Sequence, residues 1–457
     1  MTDWLNKHVV VLGLARQGTA LARYLAGQGA RVTVSDLRSP TALQEQLGAL
    51  AGLTIEYVLG EHPHTLLDGC DLLCLSGGVD VNAPLPAEAR RRGIALSNDA
   101  EIFLARCPSP YTLGITGSAG KTTTTTLVGA MLREQFGERA VWVGGNIGNP
   151  LIGELERIGR DDRVVLELSS FQLEVMTTGT TIAAVLNVTP NHLDRHGTLE
   201  AYAAAKRRLL ENQTGVGSLV VLGRDDPGAR AFADGAKGDV AWFSAIEDVT
   251  QGAHLVGDAL VWRWQGRAHT VARTGELKLR GAHNVLNVLA ACAISGAAGA
   301  EPPAMRGVAT AFTGVAHRLQ LVREHRGVKW VNDSIATAPE RAMAGIRAFD
   351  EPVILLAGGR DKKLPWEGWA ALVGERVKHV VLFGEAGDLI GRALRAADVP
   401  ASRFSQVAGL QAAVNRAAEI AQDGDVVLLS PGGTGFDEFR DFEDRGVKFA
   451  RWVAELP

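Results

Sequence analysis

An α/β fold of three parallel-sheet domains is predicted for this 457-residue chain. Three observations predict it. Short apolar runs of strand length alternate with stretches that are apolar at helical spacing. The runs end again and again in glycine-rich or charged loops, as strands do at the ligand-bearing edge of an open sheet. The 53 glycines fit many strand-to-helix turns. The length suggests two to four domains. Two prolines in Cys107-Pro108-Ser109-Pro110 mark a first boundary, and a third unit begins near Gly314. The expected domains are 1–107, 108–314 and 315–457, the first and the last Rossmann-like.

Composition narrows the function classes. Hydrophobic content of 46% and charge of 21% suit a globular protein, and a net charge of −4 gives no reason to expect nucleic-acid binding. No apolar run approaches the ~18 residues that read as a membrane span. Residues 1–8 lead straight into a strand without a signal-peptide apolar region, so a cytoplasmic chain with no membrane partner is expected. Cys70, Cys74, Cys107 and Cys292 form no C-x-x-C pair and are read as reduced, packed thiols.

In the first domain, His8 to Gly13 is a buried-strand run, and Gly13-Leu14-Ala15-Arg16-Gln17-Gly18 is a glycine turn. Thr19 to Gly27 is helical by spacing, and Arg31 to Asp36 is a strand ending in an acid suited to accept from a ribose or a base edge. This is one βαβ half of a dinucleotide-type fold. Ala15 stands where the middle glycine of G-x-G-x-x-G lets a pyrophosphate approach, which weakens an NAD reading and leaves a nucleotide diphosphate or a plain turn. Asp71 to Val79 is another strand running into a small-residue loop.

The central domain opens on Tyr111 to Thr123, an apolar run, a glycine turn and Lys-Thr-Thr at a helix start. That order builds a phosphate-binding loop. Gly117 and Gly120 let the backbone close on an anion, and free N–H groups at the helix start face it. Lys121 is placed for outer phosphates and Thr122 for Mg²⁺. The strict pattern is not met, because Ile115 holds its first glycine position, and a strand-turn-helix with an incidental lysine is the competing reading. Five threonines, 122–126, suit a first turn beside a ligand better than a helix interior. Glu167 lies in an apolar strand and needs a partner, with a cation the natural one and a structural salt bridge the alternative. His192 ends a strand at Thr189-Pro190-Asn191, suited to a metal or phosphate or to plain packing. Lys206 lies on a helix and by composition is a solvated lysine. Short strands and turns fill 215–280. Asn284 and Asn287 share one face at the start of an apolar helix, suited to read a base edge, with capping by Asn284 equally fair. In the third domain, Val353 to Gly358, His379 to Phe383 and Asp425 to Ser430 repeat the strand-then-loop form.

Taken together, GSAGKTT at 117–123, GGNIGNP at 144–150, LELSSFQLE at 166–174, NVTPNHLDRH at 187–196, GAHNVLNVLAA at 281–291, GVAHRLQLV at 314–322, NDSIATAP at 332–339 and SPGGTGFDEFRDFEDRG at 430–446 resemble the Mur ligase family over essentially the full chain. The resemblance implies an ATP-dependent ligase that adds glutamate to UDP-N-acetylmuramoyl-L-alanine through an acyl phosphate, in peptidoglycan synthesis. The family's base rate favours D-glutamate; an L-glutamate-adding variant and a folylpolyglutamate-type ligase are the alternatives. A dehydrogenase read from the first turn alone is opposed by Ala15 and the phosphate loop.

The resemblance also implies roles. Gly117, Ser118, Ala119, Gly120, Lys121, Thr122 and Thr123 cradle ATP phosphates, Asn284 and Asn287 face adenine, and Arg318 and Asp333 reach phosphate and ribose. Leu14, Ala15, Arg16, Asp36, Leu37, Arg38, Ser76, Gly77, Gly78 and Asn146 take the UDP substrate. Lys121, Glu167, His192 and Lys206 are catalytic, with Mg²⁺ held by Thr122, Glu167, His192 and Lys206, the last as a carbamate. Thr337, Lys362, Lys363, Thr434, Gly435, Phe436 and Phe442 take glutamate. The expected partners are small-molecule substrates, and the chain is expected to be a monomer. Three departures stand out: Ala119 for the loop's usual Asn, Ile335 for a frequent Lys, and Gly433-Thr434-Gly435-Phe436 for Cys-Ala-Ser and an apolar residue. Gly435 cannot offer the serine hydroxyl that helps hold the glutamate carboxylate.

Overall fold

The computed structural model describes residues 4–457 apart from Asn149, residues 214–216, Arg280, Lys363 and the side chain of Asp194. The chain divides into two compact units, Met1–Phe312 and Thr313–Pro457.

The first unit carries two sheets. In the first, β1 (His8–Leu12), β2 (Arg31–Asp36), β3 (Ile55–Leu59), β4 (Leu72–Leu75) and β5 (Ala95–Ser97) run in the order β3-β2-β1-β4-β5. Every pairing is parallel. Val9 to Leu12 are all fully buried, because helices cover both faces of such a sheet and its central strand becomes one continuous apolar run. The second sheet has nine strands: β6 (Thr112–Thr116), β7 (Val141–Gly145), β8 (Arg163–Glu167), β9 (Ile182–Val185), β10 (Leu219–Gly223), β11 (Asp239–Ser244), β12 (Gly252–Val256), β13 (Ala259–Trp264) and β14 (Arg267–Arg273). Their order is β14-β13-β12-β11-β10-β9-β6-β8-β7. The pairings from β7 across to β12 are parallel, and β12, β13 and β14 form an antiparallel meander. With β6 between β8 and β9, the loops leaving these strands at their carboxyl ends converge.

Hydrogen bonds tie the two sheets' segments together. The helix Asp99–Arg106 begins at Asn98, whose side chain accepts from Glu101 N–H at 2.8 Å and donates to Gln172 O at 2.8 Å. The Glu101 carboxylate accepts from the N–H and hydroxyl of both Thr177 and Thr178, at 2.7 to 3.1 Å.

The second unit has one sheet: β15 (Gln320–His325), β16 (Val328–Asn332), β17 (Val353–Gly358), β18 (Val377–Phe383), β19 (Phe404–Gln406) and β20 (Val426–Gly432), ordered β15-β16-β20-β17-β18-β19. β15 pairs antiparallel with β16, and the rest are parallel. Its cores lie on the two sheet faces, one around Trp369, Ile390 and Leu394 and the other around Trp330, Val414 and Phe449. All described cysteines are free, as expected from their spacing. Among the described residues no helix is long and apolar enough to cross a membrane.

Candidate active site

The phosphate loop leaves β6. Gly120 caps the helix Lys121–Phe136 in the left-handed region, at φ 80°. A Cβ there would lie 2.4 Å from Asn287 Oδ1, so only glycine fits. Lys121 Nζ donates to Gly117 O at 2.8 Å. The threonine run turns inward: Thr123, Thr124 and Thr125 are buried, and Thr126 donates to Thr122 O at 2.8 Å, which satisfies its hydroxyl one turn back along the helix. Asn187, beyond β9, clamps the loop. It accepts from Ala119 N–H at 2.8 Å through its side chain and from Ser118 N–H at 3.0 Å through its backbone, and its amide donates to Ala119 O at 3.2 Å. The contacts to residue 119 are made by its backbone, so Ala119 suffices there. Ser118 Oγ donates to Thr189 O and accepts from Tyr202 OH at 3.0 Å.

Glu167 is the last residue of β8 and is 2% exposed. Thr122 donates to it a hydroxyl at 2.8 Å and Asn146 an amide N–H at 2.7 Å, both neutral partners. The Asn146 turn is fixed by Gly145, at φ 95°, where a Cβ would meet Glu167 O at 2.4 Å. A threonine hydroxyl and a carboxylate in contact are hard oxygen donors of the kind Mg²⁺ takes, alongside water and phosphate oxygens. The pair therefore fits Mg²⁺, although no three His, Cys, Asp or Glu side chains gather as a metal cluster among the described residues.

Lys206 corrects its reading from composition. It is 1% exposed, on the inner face of the helix Leu199–Glu211. Its Nζ donates to Gly117 O at 3.0 Å and Thr116 Oγ1 at 3.3 Å and lies 4.5 Å from the Tyr202 ring centre. Burial, with the positive Lys121 beside it, pushes its pKa down to about 6, so the amine is largely neutral at pH 7.

His192 is exposed, at φ 53°, and starts the short helix Leu193–His196. Its ring meets Phe171 edge to face, with centres 5.0 Å apart. Phe171 stacks on His196 at 5.5 Å and 12°, and the Arg195 guanidinium lies 3.9 Å from its centre. Phe171 belongs to the helix Ser170–Leu173, opened by a capping box between Ser169 and Gln172.

Asn287 donates to Asn284 Oδ1 at 3.0 Å and accepts from Thr124 at 3.5 Å, so the amide pair lies against the phosphate-loop helix. Asn284 is not the cap, because Gly281 is.

The first-domain residues expected to take the UDP substrate lie at the carboxyl ends of β1, β2 and β4. Gly13, at φ 86°, donates to Ser35 O, and Ser76 donates to Gly13 O at 2.8 Å. A Cβ on Gly18 would lie 1.9 Å from Gly13 O, so the turn needs this glycine. Ala15 caps the helix Arg16–Gly27 without a side-chain bond, and Leu37 and Gly78 are exposed. Leu14 is a core residue whose N–H donates to Asp36 at 2.7 Å. Asp36 also accepts from Arg38 N–H, Nε and Nη2, and this bonding outweighs burial and holds its pKa near 2. Arg16 Nη1 donates to Gly148 O at 2.7 Å, and Gly77 N–H donates to Gln17. The first-domain turn therefore meets the loop that carries Asn146.

In the second unit, Asp333 is 5% exposed and accepts from Ser430 at 2.8 Å and Leu319 N–H at 3.3 Å. Burial raises its pKa to about 7, against those bonds and the charge of Arg318. Lys362 donates to Thr337 Oγ1 at 3.1 Å. Burial, with Arg341 and Arg445 nearby, lowers the Lys362 pKa. Lys363 lies outside the described residues. Thr434 is bridged to Arg360, Phe436 is 59% exposed, and Phe442 opens the helix Phe442–Ala454. Gly435 has a local reason: a Cβ there would lie 2.8 Å from Asp441 O. Arg445 is fully buried, donating to Ser334 Oγ, Ser334 O and Gly433 O at 2.8 to 3.0 Å, and pins these loops together. Sequence reading missed Asn187, Tyr202, His196 and Arg445, although Asn187, His196 and Arg445 sit inside quoted motifs and Tyr202 lies four residues before Lys206.

The comparisons with known proteins agree along the chain. Residues 7–98 match the Mur ligase MurD-like N-terminal domain, 115–295 the Mur ligase middle domain, and 317–433 the Mur ligase glutamate ligase domain. The chain is 43% identical over 454 residues to UDP-N-acetylmuramoylalanine--D-glutamate ligase of Symbiobacterium thermophilum, covering 99% of each chain. It is 42% identical over 460 residues to the protein of that name from Acetivibrio thermocellus, covering 99% of this chain and 97% of the relative. In fold it is similar to UDP-N-acetylmuramate-alanine ligase from Thermotoga maritima, with a TM-score of 0.57 at 19% identity, covering 98% of this chain and 100% of that one. With all three domain types present in order and relatives above 40% identity over nearly the full length, the chain belongs to the Mur ligase family of ATP-dependent, amide-bond-forming enzymes.

Proposed function

We propose that the chain joins D-glutamate to UDP-N-acetylmuramoyl-L-alanine, using ATP. What carries the reading is that relatives named for this reaction match over nearly the whole chain. The convergence of Lys121, Thr122, Glu167 and Lys206 at the carboxyl ends of β6 and β8 supports it. The acceptor carboxylate attacks the γ-phosphorus, the bond to the β-phosphate oxygen breaks, and ADP leaves. The glutamate amine then attacks the acyl carbon and loses a proton, and phosphate leaves as the amide forms. The first step brings anions together, so the site must neutralise charge.

Loop N–H groups from Gly117 to Thr123 cradle the phosphates, and Lys121 exchanges its bond to Gly117 O for phosphate oxygens. Thr122 and Glu167 would hold one Mg²⁺ and His192 a second, with a carbamylated Lys206 as a further ligand, and the metal when bound would supply added positive charge at the phosphates. Carbamylation needs a neutral amine, which the burial of Lys206 provides. Asn284 and Asn287 face adenine, and Arg318 and Asp333 serve phosphate and ribose. Leu14 to Arg16, Asp36 to Arg38, Ser76 to Gly78 and Asn146 hold the UDP substrate. Thr337, Lys362, Lys363, Thr434, Gly435, Phe436 and Phe442 take glutamate, with cationic partners for its carboxylates.

The test is phosphate release from ATP with Mg²⁺ and UDP-N-acetylmuramoyl-L-alanine, with D- or L-glutamate in parallel. Turnover with D-glutamate alone is expected. Turnover with L-glutamate alone would shift the reading to the altered loop at 433–436, and none with either would overturn the substrate assignment.

A further inference from the structure

We infer that His196 is a positioning residue of the ligase site, one that holds the metal-side histidine and the phosphate loop in register. The inference rests on the function proposed above. The His196 side chain is 2% exposed, and both ring nitrogens are engaged: Nδ1 with Glu174 Oε1 at 3.0 Å and Nε2 with Ser170 Oγ at 3.0 Å. A ring bonded at both nitrogens has its orientation fixed. Its two ring contacts then lead to different parts of the site.

On one side the imidazole stacks flat on Phe171, whose edge meets His192. On the other it meets Tyr202 at 5.1 Å and 67°. The Tyr202 hydroxyl donates to Ser118 Oγ in the phosphate loop, and its ring packs under Lys206 Nζ. Glu174, the partner that orients Nδ1, lies 3.8 Å from Arg195. Arg195 covers Phe171 and donates to Val79 O, in the loop assigned to the acceptor. One buried imidazole thus supports His192, Lys206 and Ser118. His196 itself touches no reacting atom in this reading and acts through Phe171 and Tyr202.

The test compares full-length wild type with His196→Ala and His196→Phe. His196→Phe keeps the ring packing and loses both hydrogen bonds. The readouts are kcat, KM for ATP, the free Mg²⁺ giving half-maximal rate, the binding of a fluorescent ATP analogue with Mg²⁺, and the melting midpoint. Positioning partners of this kind are worth roughly 10- to 100-fold in activity or metal affinity. His196→Ala is expected to lose about that much kcat and to need about ten-fold more Mg²⁺, with His196→Phe between. Added imidazole, filling the space left in His196→Ala, should recover part of kcat and the Mg²⁺ dependence. A purely structural role would lower the melting midpoint while Mg²⁺ half-saturation and analogue binding stayed as in wild type, and that result overturns the inference. So does wild-type kcat in His196→Ala. Should His196→Ala fail to fold, His196→Phe and His196→Gln decide by the same readouts. If wild type shows no turnover with either glutamate, the substrate reading fails, and Mg²⁺-dependent analogue binding in the variants still judges His196.

Discussion

At the scale of single residues, Lys206 shows how burial sets chemistry. A lysine 1% exposed, next to a second lysine and bonded to a carbonyl and a hydroxyl, is held mostly neutral at pH 7. Its folded pKa, about 6, lies below the unfolded value of 10.5. Between these values the unfolded chain binds more protons, so stability rises with pH across that window, and the penalty is complete below it. Lys206→Met removes the penalty. The variant should melt a few degrees higher than wild type at pH 7, by roughly 1–2 kcal/mol at the midpoint, with the advantage shrinking at pH 9. On the role proposed for Lys206, its ligase activity should fall at least ~100-fold. Calorimetry at both pH values and the phosphate-release assay check this. A variant less stable at pH 7 than wild type would show that the amine is better accommodated than its surroundings imply.

At the scale of elements, the segment 170–178 joins the first sheet's last helix to the loops of the candidate site. Glu101 binds four donors on Thr177 and Thr178, and Asn98 binds Gln172 O. The same segment carries Ser170, Phe171 and Glu174, so its anchoring also steadies the site. Hydrogen bonds to a charged acceptor are worth about 1.5–3 kcal/mol each when net, and partial exposure of this cluster reduces the total. Glu101→Ala should therefore destabilise the first unit by about 2 kcal/mol, read from urea unfolding. A loss below about 0.5 kcal/mol, the range of an ordinary surface change, would show that the contact contributes little.

At the scale of the whole molecule, each of the two units has its own apolar cores. Cooperative unfolding follows a shared core, so calorimetry should resolve two transitions. Asp333 offers a marker for the second. Its folded pKa, about 7, lies above the usual 3.8, so the folded state binds the extra proton between those values. The contribution of Asp333 to stability then falls as pH rises from 4 to 7. Relative to Asp333→Asn, the wild-type transition of the unit Thr313–Pro457 should move down across that range, while the difference for the other transition stays flat. A single transition, or a shift in the wrong one, would contradict the division.

The α/β class and the strand-turn-helix around residues 117–123 were legible in the sequence, because strand runs, helix spacing and glycine turns are local features. So was the pairing of Asn284 with Asn287, which helix geometry alone places on one face. The family followed from the order of several such motifs. Tertiary structure decided what local pattern could not carry. Lys206 reads as a surface residue until its helix is laid against β6, and the sequence around Glu167 gives no sign of the Thr122 and Asn146 donors that arrive from other loops. Asn187 gives no local sign that it would grip residues 118 and 119, and His196 gives none that it would lie between Phe171 and Tyr202. The physical reason is the same in each case: periodicity fixes which face a side chain takes, but burial and bonding depend on what the rest of the chain brings to that face.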